Sequence, residues 1–395
     1  MSSITRQIFR ELVGWLAVVL ALLTLVLLLV VVAGEASRMN LGLRPTLRLL
    51  PFVLPTALAY AAPCAMLFAV CLVYGRMSAD NEIVAIKALG VRPLAVCWPA
   101  WWLATGLSLV GVWLTDLAFS WGQRGVQRVV VQSIEEIVYG MLRTQRSYAN
   151  ARFSIIVKEV QDRRLIRPTM NFQASGELPA IRIAAAEAEL RSDLDRNVMT
   201  LILTDCEIEM TSSVRSVVPG RTVQEYPLTF FAAKDVREGN PSQLPLRQIG
   251  SEIPLQRQRI VELQKSLAAE TALTLLGGEF DQLGEAVWAP RRKQLADAWG
   301  RLFRLQTEPW RRSANGFSTL CFVLVGLPLA ILLRKSDFIT TFGYVFLPIL
   351  IAYYPLLIGC VDRAKAGAMP PYVVWLPNLL LALVGVWLLR RVVRY

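Results

Sequence analysis

The sequence predicts an α-helical membrane protein with six transmembrane helices and an inserted extracytoplasmic β-jellyroll domain, which is followed by a helical segment. Hydrophobic residues make up 54% of the 395 residues, and they occur in long blocks with almost no charge. Several blocks reach the roughly 20 apolar residues that a helix needs to cross a hydrocarbon core about 30 Å thick. Between the third and fourth blocks the pattern changes to short β-type runs separated by polar turns, which is typical of a sandwich or jellyroll.

The apolar blocks give the predicted boundaries. We expect the six spans at residues 12–33, 49–74, 94–119, 314–333, 338–361 and 372–389. The first block has no charged residue and is much longer than the apolar region of a signal peptide, so we expect a retained membrane anchor. The predicted domains are 1–119 for the first three helices with a cytoplasmic helix at 78–91, 120–252 for the jellyroll-like domain, 253–313 for a connection of two helices, and 314–395 for the last three helices.

The charges in the short loops predict the orientation. Lys and Arg are about twice as frequent on the side of the N-terminus as on the opposite side, and short cytoplasmic loops carry such an excess. Both termini are therefore expected in the cytoplasm, with the central domain outside. Arg38, Arg44 and Arg48 lie at the outer ends of the first two spans, against this trend. Asp116, the only acidic residue within the predicted spans, is interpreted as an interfacial polar residue.

The composition limits the chemistry of the chain. It contains no histidine, which excludes Ser-His-Asp hydrolysis and histidine-ligated zinc. It has no G-x-x-x-x-G-K-[ST] loop, so ATP hydrolysis for active transport must come from a separate subunit. No catalytic residue, metal ligand or cofactor is predicted, and we do not expect an enzyme. The net charge of +12 indicates anionic lipid rather than nucleic acid, because Lys and Arg lie mainly at helix ends and across the insert.

The segment after the second span predicts a short amphipathic helix that lies along the membrane. We expect Ser78 or Asp80 to cap it, Glu82 to lie in its first turn and Gly90 to end it. Three residues are spaced to face an apolar surface, namely Ile83, Ile86 and Leu89. Two interpretations stay open: the helix only connects two spans, or it presents Glu82 to a basic groove on a cytoplasmic partner.

Several motifs resemble those of the LptF/LptG (YjgP/YjgQ) lipopolysaccharide export permeases. They are Asn81-Glu82 with Ala85-Ile86-Lys87-Ala88-Leu89-Gly90, Leu327-Pro-Leu329, Gly367-Ala-Met-Pro-Pro371 and Trp375-Leu-Pro-Asn378. The order of elements is also similar, and the resemblance covers nearly the whole chain. The family usually has a Glu and an Arg ahead of the fourth span. The segment Glu308-Pro-Trp-Arg-Arg312 departs from that pattern in its spacing and its proline.

The resemblance implies a permease subunit of an ABC transporter in the bacterial inner membrane, with its central domain in the periplasm. Such a subunit extracts lipopolysaccharide or a related glycolipid and passes it to an extracytoplasmic bridge toward the outer membrane. The implied partners are an LptB-like ATPase dimer, a second LptF/LptG-type permease, an LptC-like bridge protein and the glycolipid. An alternative of another class, a membrane-anchored envelope scaffold or assembly factor without transport activity, stays open, and stable co-purification with an ATPase would distinguish the two.

The resemblance also assigns candidate site residues. Those for coupling to the ATPase are Glu82, Ala85, Lys87, Ala88 and Gly90. Those for a lipid cavity or gate between the first and fifth spans are Leu27, Phe342, Tyr344 and Phe346. Since the guanidinium group suits phosphate, Arg38, Arg44 and Arg48 are the candidates for binding the lipid headgroup. The alternative for these arginines is contact with ordinary anionic phospholipid at the interface.

Overall fold

The computed structural model describes residues 3–39, 43–90, 93–149, 153–161, 163–172, 181–193, 198–210, 214–227, 241–278, 285–333 and 338–394. Within these ranges, six helices are long and apolar enough to cross a membrane, as the sequence predicts. The chain forms two compact units, which we describe separately. The first comprises Met1–Leu27, Leu54–Trp121 and Asn240–Tyr395, and the second comprises Leu28–Val53 and Gly122–Gly239.

The first three spans lie on long helices. The helices are α1 (Ser3–Met39), α2 (Leu43–Ala79), the short α3 (Glu82–Ala88) and α4 (Pro93–Leu117). Both α1 and α2 have 37 residues and extend beyond the predicted apolar blocks, because polar residues at the ends of a span can continue the helix outside the hydrocarbon. A π-helical turn, Ala118–Gly122, follows α4, and α5 (Gln123–Gln132) and α6 (Ile134–Gln145) follow that turn.

The helical connection and the fourth span have fewer interruptions between their helices than the sequence predicts. Helix α7 (Leu246–Leu276) is followed by α8 (Glu285–Leu332), which has 48 residues and a length of roughly 70 Å. The expected boundary at residue 313 therefore lies inside one continuous helix. Pro309 lies inside α8 as well. A proline removes one backbone hydrogen bond, and packing against neighbouring helices offsets that loss.

The last two spans each contain a local change of helix type. The fifth consists of α9 (Phe338–Pro348), a π-helical turn (Ile349–Tyr353) and α10 (Tyr354–Lys365). The sixth begins with a 3₁₀ turn (Pro371–Trp375) and continues as α11 (Leu376–Arg394). Asn378 joins these spans to the fourth: its Nδ2 donates to the carbonyl oxygen of Ala314 at 2.9 Å, and its Oδ1 accepts from the Tyr353 hydroxyl at 2.7 Å.

Small residues let α8 approach its neighbours closely. A Cβ atom added at Gly316 of α8 would lie 2.6 Å from the backbone nitrogen of Val112 on α4. A Cβ at Gly385 of α11 would lie 2.7 Å from the carbonyl oxygen of Leu324 on α8. Such contacts are typical of membrane helices, whose association depends on close packing because lipid is as apolar as the side chains.

In the second unit, the described strands form one antiparallel sheet, which confirms the inserted β domain. They are β1 (Ser147–Ala149), β2 (Phe153–Ile156), β3 (Glu159–Gln161), β4 (Arg164–Ile166), β5 (Thr169–Phe172), β6 (Ile181–Asp193), β7 (Val198–Met210) and β8 (Val214–Pro227). The order is β1-β2-β5-β6-β4-β3, and β7 pairs with both β6 and β8. The predicted range 120–252 also contains helices, since α5 and α6 precede the sheet and α7 begins at Leu246.

Strand β6 contains a gap in its pairing with β7. Ala185 pairs with Cys206, and the next pair in the ladder is Glu187 with Thr204. Buried positions accordingly change phase, from Ile183 and Ala185 to residues 188 and 190. The register with β7 is the same on both sides of this gap, and the shift of register lies in the pairing of β7 with β8, between Thr204 and Cys206. Irregular pairing of this kind shifts which side chains face the core. The alternation of buried and exposed side chains therefore resumes in the opposite phase and continues toward Asp193.

Tyr139 attaches α6 to this sheet. Its hydroxyl donates to the carbonyl oxygen of Arg163 at 2.6 Å and accepts from the backbone nitrogen of Leu190 at 3.0 Å. Burial raises the pKa of the Tyr139 phenol above its ordinary value, so the group stays protonated and remains a donor at neutral pH. Helix α6 is thereby joined to the turn before β4 and to strand β6.

Candidate functional site

Helix α3 lies where the sequence predicts a cytoplasmic helix, but it is shorter and starts differently. Ser78 belongs to α2, and its hydroxyl donates to the carbonyl oxygen of Ile331 at 2.8 Å. The residue that precedes α3 is Asn81, with φ of 59°, so neither Ser78 nor Asp80 is the N-cap. Gly90 follows the helix with φ of 79°, a conformation that glycine adopts without strain. The expected end of the helix is therefore confirmed.

The faces of α3 differ in what they contact. Ile83 and Ile86 are partly buried and pack against the core of the membrane helices, as expected. Leu89 is 78% exposed, so its predicted apolar contact is not with this chain. Lys87 follows Glu82 by five residues and therefore lies roughly 140° around the helix from it. One flat partner surface cannot contact both side chains. All five candidate coupling residues are exposed, namely Glu82, Ala85, Lys87, Ala88 and Gly90.

A buried charge cluster lies where the fourth span begins, and we define it as Asp116, Glu308, Arg311, Arg312 and Lys365. The side chains of Glu308 and Arg312 are both 0% exposed. Arg311 Nη2 donates to Glu308 Oε2 at 2.6 Å, and Arg312 Nη1 donates to Asp116 Oδ1 at 2.5 Å. Glu308 also lies 3.5 Å from Arg312 Nε and 3.9 Å from Lys365 Nζ.

Three helices supply the buried charge cluster. Glu308, Arg311 and Arg312 are three and four residues apart on α8, so they share one face of that helix. Asp116 lies near the end of α4, and Lys365 is the last residue of α10. The cluster therefore joins the ends of the third and fifth spans to the start of the fourth.

The chain segment that precedes α7 also binds this cluster. Arg312 Nη2 donates to the carbonyl oxygen of Ser242 at 3.0 Å, and the Ser242 hydroxyl donates to Glu308 Oε1 at 3.0 Å. Asp116 Oδ1 accepts from the backbone nitrogen of Leu246 at 3.0 Å. The ring of Phe119 covers the Arg311 guanidinium, whose carbon lies 4.3 Å from the ring centroid, a cation–π contact. The cluster thus holds the start of α7 against α4 and α8.

The charges of the cluster make it a structural clamp rather than an acid–base site. Both carboxylates contact guanidinium groups, so neither is placed to exchange a proton with a substrate. Removing an ion from water costs roughly several kcal/mol. That cost is offset only when the ion pair has good geometry and its members form further hydrogen bonds. Removal of one member would leave an uncompensated buried charge.

Sequence reasoning did not find this cluster as a unit. The interpretation of Asp116 as an interfacial polar residue did not include its partner, since its carboxylate bonds to a fully buried guanidinium from a helix 196 positions away in the sequence. Two signals were present: Asp116 is the only acidic residue within the predicted spans, and Glu308 and Arg312 have the spacing of an ion pair on a helix. No pattern in the sequence near Lys365 indicated its contact with Glu308.

The candidate lipid residues lie on separate helices. Phe342 stacks on Phe346 with ring centroids 5.2 Å apart, and both pack against the buried cluster of the fourth and fifth spans. Tyr344 is 64% exposed and points away from that pair. Leu27 is half-buried on α1 and is not part of the described cluster that holds the aromatic pair.

The three candidate headgroup arginines lie at the adjoining ends of the first two helices. Arg38 is in α1, and Arg44 and Arg48 are in α2. Arg48 is exposed. The side chains of Arg38 and Arg44 lie outside the part of the chain that the structure describes.

These observations define a polytopic membrane protein in which an antiparallel sheet is inserted between the third and fourth of six spans, with a short exposed helix between the second and third. The chain matches the family model described as lipopolysaccharide export system permease LptF/LptG over residues 6–391. It therefore belongs to the LptF/LptG family. No curated protein sequence matches it significantly.

Proposed function

We propose that this chain is a permease subunit of an ABC transporter that extracts lipopolysaccharide or a related glycolipid from the inner membrane and passes it to an extracytoplasmic bridge. The family match over nearly the whole chain carries the proposal. At the level of the family, the protein is a lipopolysaccharide export permease that works with other Lpt proteins, and its six apolar helices support a multi-pass inner-membrane protein.

The energy source in this proposal is an LptB-like ATPase dimer that docks on α3. The carboxylate of Glu82 is exposed in the first turn of α3, where it can accept charge-assisted hydrogen bonds from an arginine of a partner. The small residues Ala85 and Ala88 are also exposed, and they would allow close approach of the partner's backbone. Lys87 is a weaker candidate for contact with the same partner surface, because it lies roughly 140° around the helix from Glu82.

The orientation in this proposal places α3 and both termini in the cytoplasm. Short loops with an excess of Lys and Arg favour the cytoplasmic side. One span, α4, separates α3 from the segment that contains the sheet. By chain order the sheet is then periplasmic, on the side where an LptC-like bridge would receive the lipid.

The lipid path in this proposal passes between α1 and the fifth span of a second LptF/LptG-type permease. Helix α1 exposes a row of large apolar side chains, which includes Val18, Leu22 and Leu25. A surface of this kind faces either acyl chains or another membrane subunit. Leu27 and the fifth-span residues Phe342, Tyr344 and Phe346 would then border the cavity, with Arg38, Arg44 and Arg48 at the headgroup.

The docking step is tested with Glu82→Ala, and Asp80→Ala serves as a matched control because Asp80 is an exposed carboxylate in the turn just before α3. Truncating one partner of a charge pair that is buried on binding costs about 2–5 kcal/mol, or roughly thirtyfold or more in affinity. We expect Glu82→Ala to weaken co-purification of the ATPase and ATP-driven lipid release, while Asp80→Ala changes neither. Equal behaviour of both variants and the native chain would contradict docking through Glu82.

The lipid path is tested with photo-crosslinkers at Leu27, Tyr344 and Phe346, with Val345 as the control because it is buried. Capture of glycolipid at the three sites, but not at Val345, would support the path. Capture of bulk phospholipid alone would indicate ordinary lipid-facing residues. Replacing the three arginines with Gln should reduce glycolipid co-purification without changing topology, whereas a change of topology alone would assign them to orientation.

A further inference from the structure

A cavity of about 520 Å³ lies beside α3, between that helix and the ends of α2, α8 and α11. Its wall is largely apolar, and the principal apolar residues are Ile83, Val84, Leu329, Leu332, Leu388 and Val392. The volume is within the range of about 300–1,000 Å³ that is typical of small-molecule sites. The cavity adjoins the inner face of α3 and not the side on which Ala85, Ala88 and Leu89 are exposed.

Two cations line this otherwise apolar cavity. They are Lys87 of α3 and Arg391 of α11, and both are exposed. Among the described residues, neither forms an ion pair with a carboxylate. The polar side chain of Ser78 also lines the cavity, but its hydroxyl proton is already donated to the carbonyl oxygen of Ile331. The cavity therefore combines an apolar wall with positive charge that a ligand can neutralise.

The cavity lies beside the ends of two apolar helix segments. The apolar spans of α8 and α11 end at Leu332 and Val392. The lining residues come from the last turn of each span, which covers about 5 Å along the helix axis. Lysine and arginine near the ends of spans extend their charged groups toward the headgroup layer. A ligand in this position is in contact with lipid from the surrounding leaflet.

We propose that this cavity binds an anionic glycerophospholipid of the bilayer, with an acyl chain along the apolar wall and the phosphate between Lys87 and Arg391. Basic pockets between the ends of membrane helices bind anionic headgroups, and such lipids are enriched in the cytoplasmic leaflet. In the orientation proposed above, the exported glycolipid leaves on the periplasmic side, so it is a poor candidate for a cavity at the cytoplasmic ends of the spans. A lipid bound here would bridge α3 and α11 and so help to set the position of α3.

The choice of lipid rests on the orientation in the proposed function, and the effect on α3 rests on docking of an ATPase to that helix, but capture of the lipid is measured without either. The experiment therefore measures lipid capture by the full-length chain in nanodiscs of phosphatidylcholine that contain a small fraction of phosphatidylglycerol. A photo-crosslinking residue replaces Val84, which lines the cavity and is 47% exposed. The control places the same residue at Ala85, which is exposed on a different side of α3.

Charge variants then test the headgroup contact. Lys87→Gln with Arg391→Gln should reduce capture of phosphatidylglycerol at position 84 about twenty-five-fold, because each cation beside an anionic lipid is worth about a factor of five. The control pair, Arg390→Gln with Arg394→Gln, removes the same charge from the exposed end of α11 and should leave capture unchanged. Substitution of exposed cations leaves the apolar packing intact, so the comparison does not depend on a change in folding.

The possible outcomes separate the proposal from its alternatives. Selective capture of phosphatidylglycerol at position 84, lost only in the Lys87 and Arg391 pair, supports the site. Equal capture of phosphatidylcholine, an equal effect of the control pair, or capture of the exported glycolipid overturns it. Capture of a protein segment at position 84 in the assembled transporter, with no lipid captured in the chain alone, also overturns it and assigns the cavity to a partner.

Discussion

Replacing Arg312 with Met tests the buried charge cluster most directly. Methionine has a similar length and no charge, so the substitution removes the guanidinium with little change in packing volume. Asp116 then loses its hydrogen bond of 2.5 Å, and the carbonyl oxygen of Ser242 loses one of 3.0 Å. Breaking a buried ion pair on one side costs about 3–5 kcal/mol, because the remaining charge is left without compensation. That is a large part of a typical net stability of about 5–15 kcal/mol.

The companion substitution, Glu308→Gln, separates charge from shape. Glu308 contacts both Arg311 and Arg312, so its neutralisation alone leaves excess positive charge in a buried site. When both changes are combined, the charges that remain are one carboxylate and two cations that are partly exposed. Replacing a buried pair together is often close to neutral. We therefore expect the double variant to lose less stability than the two single variants added together, with a coupling energy of about 1–3 kcal/mol.

The assay is unfolding of the full-length chain in mixed detergent micelles, followed by tryptophan fluorescence. Lys293→Met is the matched control, because Lys293 is an exposed cation on the same helix. We expect its free energy of unfolding to change by about 0.5 kcal/mol or less. A loss below about 1 kcal/mol for Arg312→Met, or strictly additive single effects, would refute the reasoning that the cluster is a tightly coupled clamp.

Three further predictions concern packing and hydrogen bonds. Gly316→Ala should destabilise the membrane helices by about 1–3 kcal/mol in the same unfolding assay, since its Cβ would lie 2.6 Å from a backbone nitrogen of α4. Gly300→Ala on the same helix meets nothing within 4 Å and should be neutral or stabilising, so equal losses would disprove the close approach. Tyr139→Phe should cost about 1–3 kcal/mol because it leaves buried backbone groups unpaired, and increased protease cleavage ahead of the sheet would report it. Asn378→Leu should cost about 0.6–1.7 kcal/mol, and a gain in stability would show that its two hydrogen bonds are not net favourable.

Local patterns predicted the spans and the inserted sheet because these depend on properties of neighbouring residues. A run of about 20 apolar residues must be helical in lipid, whatever it later packs against. The short helix between the second and third spans was also predicted, since an acidic first turn and a glycine at the end are local signals. The family resemblance rested on motifs of the same local kind, and the family match confirms it.

Other features were decided by contacts between distant parts of the chain. The helical connection was expected to end at residue 313, yet α8 continues through that position and through Pro309. Of the three residues expected to face an apolar surface, Ile83 and Ile86 pack against the membrane helices and Leu89 is exposed. The burial pattern of β6 changes phase at a gap in its pairing with β7, next to a shift of register between β7 and β8. None of these outcomes can be inferred from periodicity alone.

The buried charge cluster shows why some features can be predicted from the sequence and others depend on the tertiary structure. Sequence alone determined that the chain has six apolar helices, an inserted sheet and charges that are mostly outside the spans, because transfer of each residue to lipid has its own free energy. Only the tertiary structure decided that Asp116 and Arg312, 196 positions apart, meet in a buried site with Glu308. An ion pair is favourable in such a site only when several side chains and backbone groups converge with good geometry, and that convergence is a property of the packed helices.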